Sequence, residues 1–145
     1  EMESLGKPSN TESIFHETGQ TLFGGFGSTA QHSYFQLLHQ GTSQCSADII
    51  YSPTAQSPLS NAQANGQASL LSSPQKQSSD LRELTNGNIP VNLFVVPKLS
   101  LRELGFLLAT WEHRVFVTAS LMQINPFDQF GVAAGKTAAQ KFLKK

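Results

Sequence analysis

The strongest constraint on the fold lies near the end of the sequence, where apolar residues recur at intervals of three and four. The set comprises Leu101, Leu104, Leu108, Trp111, Val115 and Met122. This spacing predicts one long helix with a buried apolar face. Ser100 and Glu103 form a capping-box pattern at its start. Asn125 is followed by Pro126 and should end the helix, because a residue before proline is pushed out of helical backbone space.

A second helix is predicted from about Asp128 or Phe130 to Leu143, with Asp128 placed to cap its start. At 3.6 residues per turn, one of its faces carries Gln129, Val132, Lys136, Ala139 and Leu143. Positive charge near the C-terminal end of a helix interacts favourably with the helix dipole, and three lysines lie there, Lys141, Lys144 and Lys145.

Lys136 stands in this otherwise apolar stripe, and its small neighbours leave room for a ligand to approach the ammonium group. Two interpretations remain open. The side chain either lays its stem on apolar surface and sends its charge to water, or it has a chemical role. Periodicity alone favours the first.

Strand and helix signals alternate before these two helices, which predicts an α/β domain with a largely parallel sheet. Residues 1–16 are polar and indicate a loop, and Gln20–Phe23 is a candidate strand that leads into a glycine-rich turn, Gly24–Thr29. Ser28 and Gln31 form a second capping-box pattern. They predict a helix from Thr29 to about Gln40, closed by Gly41.

Two further strands are predicted, at Ala47–Tyr51 and Val91–Val96. The second is almost entirely apolar, so we expect it to be covered on both faces. Residues 54–80 between them are rich in Ser, Gln, Asn and Ala, and we expect them to form a variable, partly mobile connection. A helix over Asn61–Leu71 is possible there, although Gly66 weakens it. Residues 72–80 indicate an exposed, mobile connection.

The totals exclude several classes of function. The chain has 145 residues, enough for one domain, with 10 basic and 10 acidic side chains, so no net field recruits nucleic acid or an acidic membrane surface. Charged residues at 112–114 interrupt the only candidate membrane span. The single cysteine, Cys45, excludes an internal disulfide and a multi-cysteine metal site, and it suits a reducing compartment. The missing initiator methionine suggests a piece of a longer polypeptide.

Histidine spacing also argues against a metal site, because none of the four histidines follow the i, i+4 helical pattern. His32 is predicted in the first turn of a helix beside the glycine-rich turn. The positive end of a helix disfavours a charged imidazole, which would keep His32 neutral and able to act as a base. A capping or packing role is the alternative. The turn itself either binds phosphate or is only a tight connection, since it matches no nucleotide-binding motif.

Several separated blocks resemble the C-terminal portion of the glucose-6-phosphate isomerase family. In matching order they read EMESLGK, HETGQTLFGGFGSTAQHSYFQLLHQG, GNIPVNLFVVPKLSLRELG, WEHRVFV and INPFDQFGVAAGK. The resemblance covers nearly the whole chain apart from residues 54–80. It implies a three-layer α/β/α sugar-isomerase domain over residues 1–145. It also implies a cytoplasmic homodimer that interconverts glucose 6-phosphate and fructose 6-phosphate with no metal or organic cofactor.

The resemblance also implies roles for four residues. Glu3 would move the proton between C1 and C2 through an enediol. His32, assisted by Lys136, would open the sugar ring, and the histidine would reach the partner subunit's site. Gln129 would hydrogen-bond near the phosphate.

The sequence departs from the family pattern at two places. Ala133 stands where the family has glutamate, and Ala30 stands where it has glycine. Most of the family's phosphate-binding residues precede the first residue of this chain. The alternative function is therefore a truncated, non-catalytic module for sugar-phosphate binding or dimerisation.

Overall fold

A two-stranded parallel sheet is the centre of one part of the molecule. The computed structural model describes residues 1–73 and 76–143. Within them, strands β1 (Ala47–Tyr51) and β2 (Val91–Val95) pair in parallel, from Ala47 opposite Val91 to Tyr51 opposite Val95. Parallel neighbours need a long crossover connection, and a 15-residue helix lies in it. The predicted α/β class with a parallel sheet is confirmed.

The described residues also form six α-helices. In chain order these are α1 (Met2–Leu5), α2 (Gly27–Ala30), α3 (Phe35–Gln40), α4 (Pro58–Ser72), α5 (Leu101–Met122) and α6 (Phe130–Leu143). A short 3₁₀ turn, Leu81–Glu83, precedes β2.

The chain divides into two compact units. We call Gly24–Leu104 the sheet unit, and Glu1–Phe23 together with Gly105–Lys145 the helical unit. Most of the buried apolar residues belong to the sheet unit, namely Ala30, Leu38, Ala68, Leu71 and Val96. In the helical unit the described buried apolar residues are Leu5 and Ala119.

Helix α4 contains the helix that the sequence allowed over Asn61–Leu71 and occupies more than half of the region expected to be a connection, residues 54–80. Its start has a local cause that the prediction missed, because Pro58 is favoured in the first helical turn. The Ser57 hydroxyl also accepts the backbone N–H of Ser60 at 3.2 Å, which satisfies a free donor at the helix start. Gly66 does not interrupt the helix. Pro74 and Gln75, within the predicted mobile stretch, lie outside the described residues.

Two local predictions before β1 are wrong. Gln20–Phe23 is not a strand. The helix predicted from Thr29 to Gln40 is two short helices, α2 and α3, separated by a turn at 31–34. Ser28 cannot cap this helix, because it lies inside α2, whose N-cap position is Phe26. Gly41 does end α3, where its N–H donates to the Leu37 carbonyl at 2.8 Å.

Helices α5 and α6 match their predicted extents, but the predicted burial is wrong. Leu101, Leu104 and Leu108 are 88%, 52% and 58% exposed, and Ala119 is the one fully buried residue that the described part of α5 contains. Strand β2 was expected to be covered on both faces, but Leu93 and Val95 are 39% and 51% exposed. Apolar periodicity identifies the apolar face of a helix, but it does not show whether other residues of the same chain pack against that face. Lys144 and Lys145 lie outside the described residues.

Candidate active site

The four predicted site residues are distributed over both units. Glu3 on α1, Gln129 just before α6, and Lys136 within α6 belong to the helical unit, whereas His32 belongs to the sheet unit. The side chains of all four are exposed. The helical unit therefore contains three of the four groups and is the part from which a site can be built.

Glu1 fixes the start of α1. Its side chain is only 9% exposed, and Oε2 lies 2.9 Å from Arg114 Nη2 on α5. Oε1 accepts a hydrogen bond from Gln20. Glu1 is the N-cap residue of α1, so this contact holds the chain where the helix begins. Glu3, two residues later, is exposed.

Lys7 fixes the segment that follows α1. Its side chain is 10% exposed, and Nζ lies 3.6 Å from Asp128 Oδ1. The same ammonium donates a hydrogen bond to the Asp128 backbone carbonyl. Asp128 immediately precedes Gln129, so Lys7 joins the Glu3 segment directly to the start of α6. Asp128 was predicted to cap α6. In the contacts described, its carboxylate pairs with Lys7 instead.

Thr18 and Gly19, in the loop after Lys7, lie close to the backbone of Gly6 and Lys7. The Thr18 hydroxyl donates to the Lys7 carbonyl. Gly19 has φ +68°, and a Cβ there would lie 2.7 Å from Gly6 Cα. Only glycine fits this approach without displacing the backbone.

Gln129 immediately precedes α6, and Lys136 lies within this helix. The Gln129 carbonyl accepts the Ala133 N–H at 3.1 Å, which begins the α6 hydrogen-bond ladder. Two helical turns separate the two residues, so they lie about 10 Å apart along the axis on a similar face. The surface near Lys136 is open, because a Cβ added at Gly135 would meet no atom within 4 Å. This exposure agrees with both interpretations of Lys136.

The predicted location of His32 at a helix start is wrong. His32 lies in the turn after α2, and its N–H donates to the Thr29 carbonyl at 3.1 Å. Since α2 has four residues and ends at Ala30, His32 follows the C-terminal end of this helix. The helix-dipole argument for a neutral imidazole therefore fails. The glycine-rich turn also lacks the preceding strand that the phosphate-loop interpretation required.

Two other histidines have structural partners. His39 Nε2 lies 2.6 Å from Gln67 Oε1 on α4. His113 Nδ1 lies 2.7 Å from the Ala109 carbonyl, one helical turn earlier, and can only donate to it. Among residues 1–73 and 76–143, no cluster of three His, Cys, Asp or Glu side chains has the arrangement of a metal site. No helix in those ranges has the length and apolar character needed to cross a membrane.

Hydrogen bonds lower the pKa of two carboxylates that begin helical turns. The Ser100 hydroxyl donates to Glu103 and lowers the pKa of this carboxyl group. The Arg82 side chain, 2.6 Å from Asp80 Oδ2, lowers the pKa of Asp80, and the Arg82 backbone N–H adds to the effect. Both carboxylates organise local turns in the sheet unit.

Sequence reasoning missed the two ion pairs that hold the Glu3 segment. Arg114 is 113 positions from Glu1, and Asp128 is 121 positions from Lys7. No local spacing connects residues so far apart. The only available signal was that Lys7 belongs to the block EMESLGK that carries the family resemblance.

Comparisons with known proteins agree over the whole chain. The family model described as phosphoglucose isomerase matches residues 1–145. The chain is 34% identical to "Glucose-6-phosphate isomerase" of Shewanella sediminis, covering 100% of this chain and 31% of that protein. It is 37% identical to the Legionella pneumophila (strain Lens) protein of the same name, covering 95% and 28%.

A solved structure agrees with these sequence relatives. A glucose-6-phosphate isomerase from Chlamydia trachomatis has a TM-score of 0.83 and 32% identity, covering 99% of this chain and 30% of that chain. The present chain thus spans about three-tenths of the length of the relatives it matches. On this evidence, the chain belongs to the phosphoglucose isomerase family.

Proposed function

We propose that this chain supplies the C-terminal portion of a glucose-6-phosphate isomerase, which interconverts D-glucose 6-phosphate and D-fructose 6-phosphate. The observation that carries the proposal is the contact between Lys7 and Asp128. It joins the segment bearing Glu3 to Gln129 and to the start of the helix bearing Lys136. Three groups suited to sugar-phosphate chemistry thereby belong to one unit.

Glu3 acts as the base of the isomerisation. Its carboxylate removes the proton from C2 of open-chain glucose 6-phosphate to give an enediol, then returns a proton to C1 to give the ketose. A positioned general base of this kind contributes about 100- to 10,000-fold to a rate. The exposed side of α1 suits this task, because a substrate carbon must come within hydrogen-bond reach of the carboxylate.

The remaining groups open the ring and hold the substrate. His32 serves the partner subunit's site in a homodimer and moves a proton between the ring oxygen and the C1 hydroxyl. Lys136 assists and stabilises negative charge that develops on oxygen. Gln129 hydrogen-bonds near the phosphate. This route consists of proton transfers beside a fixed cation, so the proposal includes neither a metal nor an organic cofactor.

The proposed protein acts in the cytoplasm, in glycolysis and gluconeogenesis, with further polypeptide that binds the phosphate. The isolated 145 residues should therefore show little or no turnover. A non-catalytic module for sugar-phosphate binding or dimerisation is the second candidate.

A chimera separates the two candidates. The intact chain replaces the matched segment of the Shewanella sediminis protein, and conversion of fructose 6-phosphate is followed in a coupled assay. Activity that Glu3→Gln and Lys136→Ala each abolish would support the isomerase. Matched controls are Glu112→Gln and Lys141→Met, which neutralise exposed charges elsewhere in the helical unit. Full activity in both site variants would contradict the proposed roles, and an inactive, folded chimera that still dimerises would favour the module.

A further inference from the structure

We propose that Glu3 is positioned by two ion pairs, Glu1 with Arg114 and Lys7 with Asp128, which hold α1 at both ends. Lys7 has the larger role, because it also fixes Gln129. The inference rests on the proposed function, since it assigns to these residues the task of aligning the base of that reaction.

The first step concerns the weakness of α1 by itself. It has four residues, and isolated helices shorter than about 12 residues are marginal in water. No side chain caps its start. The direction of the Glu3 carboxylate must therefore come from tertiary contacts on the residues around it.

Glu1 provides the contact on the N-terminal side. Its carboxylate is almost fully covered and binds Arg114 at 2.9 Å. Arg114 is itself held on α5, with its guanidinium carbon 5.7 Å from the centre of the Trp111 ring. Because α5 is a helix of 22 residues, Glu1 is attached to a long element that does not depend on α1 for its form.

Lys7 provides the contact on the C-terminal side, four residues after Glu3. Its ammonium group engages both the carboxylate and the backbone carbonyl of Asp128. Nearby, the Asn10 side chain donates to the Gln123 carbonyl at 3.1 Å, so a second bond ties this segment to the connection between α5 and α6. A shift of the Glu3 segment would therefore also disturb the backbone next to Gln129.

This geometry distinguishes positioning from direct catalysis. The Lys7 side chain is only 10% exposed, and its ammonium already contacts the carboxylate and the backbone carbonyl of Asp128, so it is poorly placed to meet substrate. Lys136 is exposed and lies on an open helix face, as a cation that meets substrate requires. Lys7 consequently acts through Glu3 and Gln129, and its removal should impair alignment.

Loss of alignment has a specific kinetic signature. A misplacement of about 1 Å costs roughly 100-fold in rate. In the chimera described above, Lys7→Met should lower kcat by about 10- to 100-fold, with a smaller rise in KM for glucose 6-phosphate because Gln129 is also displaced. Proton removal should also become more strongly rate-limiting. The kinetic isotope effect with substrate deuterated at C2 should therefore rise, an effect that a merely structural role would not produce in folded enzyme.

Two further variants guard against misfolding. Asp128→Asn keeps the side-chain volume and the backbone carbonyl that Lys7 contacts, and removes only the charge, so a smaller fall in kcat with the same rise in isotope effect is expected. Lys7→Arg retains a cation and should recover part of the rate. Lys141→Met is the matched control and should change neither kcat nor the isotope effect.

The outcomes separate this inference from the proposed function. If Glu3→Gln leaves the chimera active, the proposed function fails, and the positioning role fails with it. If Glu3→Gln is inactive but folded Lys7→Met and Asp128→Asn both keep the kcat and the isotope effect of the unsubstituted chimera, only the positioning inference is overturned. A fall in kcat with a raised isotope effect, partly reversed in Lys7→Arg, supports it.

Discussion

Different interactions stabilise the interior of the sheet unit and the interior of the helical unit. Backbone hydrogen bonds between β1 and β2 and a buried apolar cluster around Leu71 stabilise the sheet unit. In the helical unit, ion pairs between residues more than a hundred positions apart connect α1 with α5 and with the start of α6. Many combinations of apolar side chains can fill a buried core. An ion pair, in contrast, restricts the relative orientation of the two segments that it joins. We therefore expect substitutions in the buried apolar residues of the sheet unit to lower stability, and substitutions of Glu3 and of the ion pairs around it to lower catalysis.

The largest effect should come from removing the base in the helical unit. In the chimera, Glu3→Gln should reduce kcat by about 100- to 10,000-fold, because the amide cannot accept the C2 proton. Since Glu3 is exposed, the thermal unfolding midpoint should not change. Steady-state kinetics and a thermal melt measure both quantities. A large fall in stability with unchanged kcat would reverse the comparison between the units.

Leu71→Ala should have the reverse signature in the sheet unit. Leu71 is 1% exposed, and large-to-small changes at such sites cost about 2–5 kcal/mol. Leu59→Ala on the same helix is the matched control, because Leu59 is 68% exposed. Hydrogen exchange of the β1 amides should show lower protection in Leu71→Ala and unchanged protection in Leu59→Ala. Equal protection in the two variants would argue against a core around Leu71.

Ser57→Ala should weaken the sheet unit by a smaller amount. The Ser57 hydroxyl accepts the Ser60 N–H, and loss of such a cap costs about 0.5–2 kcal/mol. Faster exchange should be confined to the first turn of α4. Ser69→Ala, at an exposed position inside the same helix, should slightly favour the helix, because alanine has the higher helix propensity. The prediction fails if both variants exchange alike.

The smallest effect concerns the pH dependence at the start of α5. The Ser100 hydroxyl lowers the pKa of Glu103 in the folded chain. This carboxylate therefore stabilises the fold at pH values above its unfolded pKa, and the contribution is lost as pH falls through the lower, folded pKa. Ser100→Ala should raise the pKa of Glu103 towards its ordinary value in a carbon-detected NMR titration.

A second serine of α5 serves as the control for this titration. The Ser120 hydroxyl donates to the Phe116 carbonyl within the helix and has no bond to Glu103 among those described. Ser120→Ala should leave the pKa of Glu103 unchanged. An unchanged pKa in Ser100→Ala would show that the hydroxyl is not the cause.

The long helices and the two strands were predictable from the sequence, and the short helices before β1 were not. The spacing from Leu101 to Met122 and the β-branched run at Val91 each select one structure over many residues. Helices α2 and α3 have four and six residues, which is too short for a helical repeat of apolar residues to be recognised. The rings of Tyr34 and Phe35, with centres 5.6 Å apart, lie at the start of α3.

The site was predictable only in part, for a related reason. Resemblance selected Glu3, His32, Gln129 and Lys136, and their roles stay predictions. The ion pairs at Glu1 and Lys7 depend on the tertiary fold, because each joins the first residues of the chain to its final third. The apolar face predicted to be buried on α5 is largely exposed, because sequence spacing does not say what covers such a face.

Deuterium incorporation tests the central claim most directly, namely that Glu3 carries the proton in the reaction. The chimera converts fructose 6-phosphate in heavy water, and NMR measures deuterium at C2 of the glucose 6-phosphate formed. We predict incorporation with the unsubstituted chain and none above background with Glu3→Gln, while Glu112→Gln behaves as the unsubstituted chain. Incorporation at the same rate in Glu3→Gln would contradict the account.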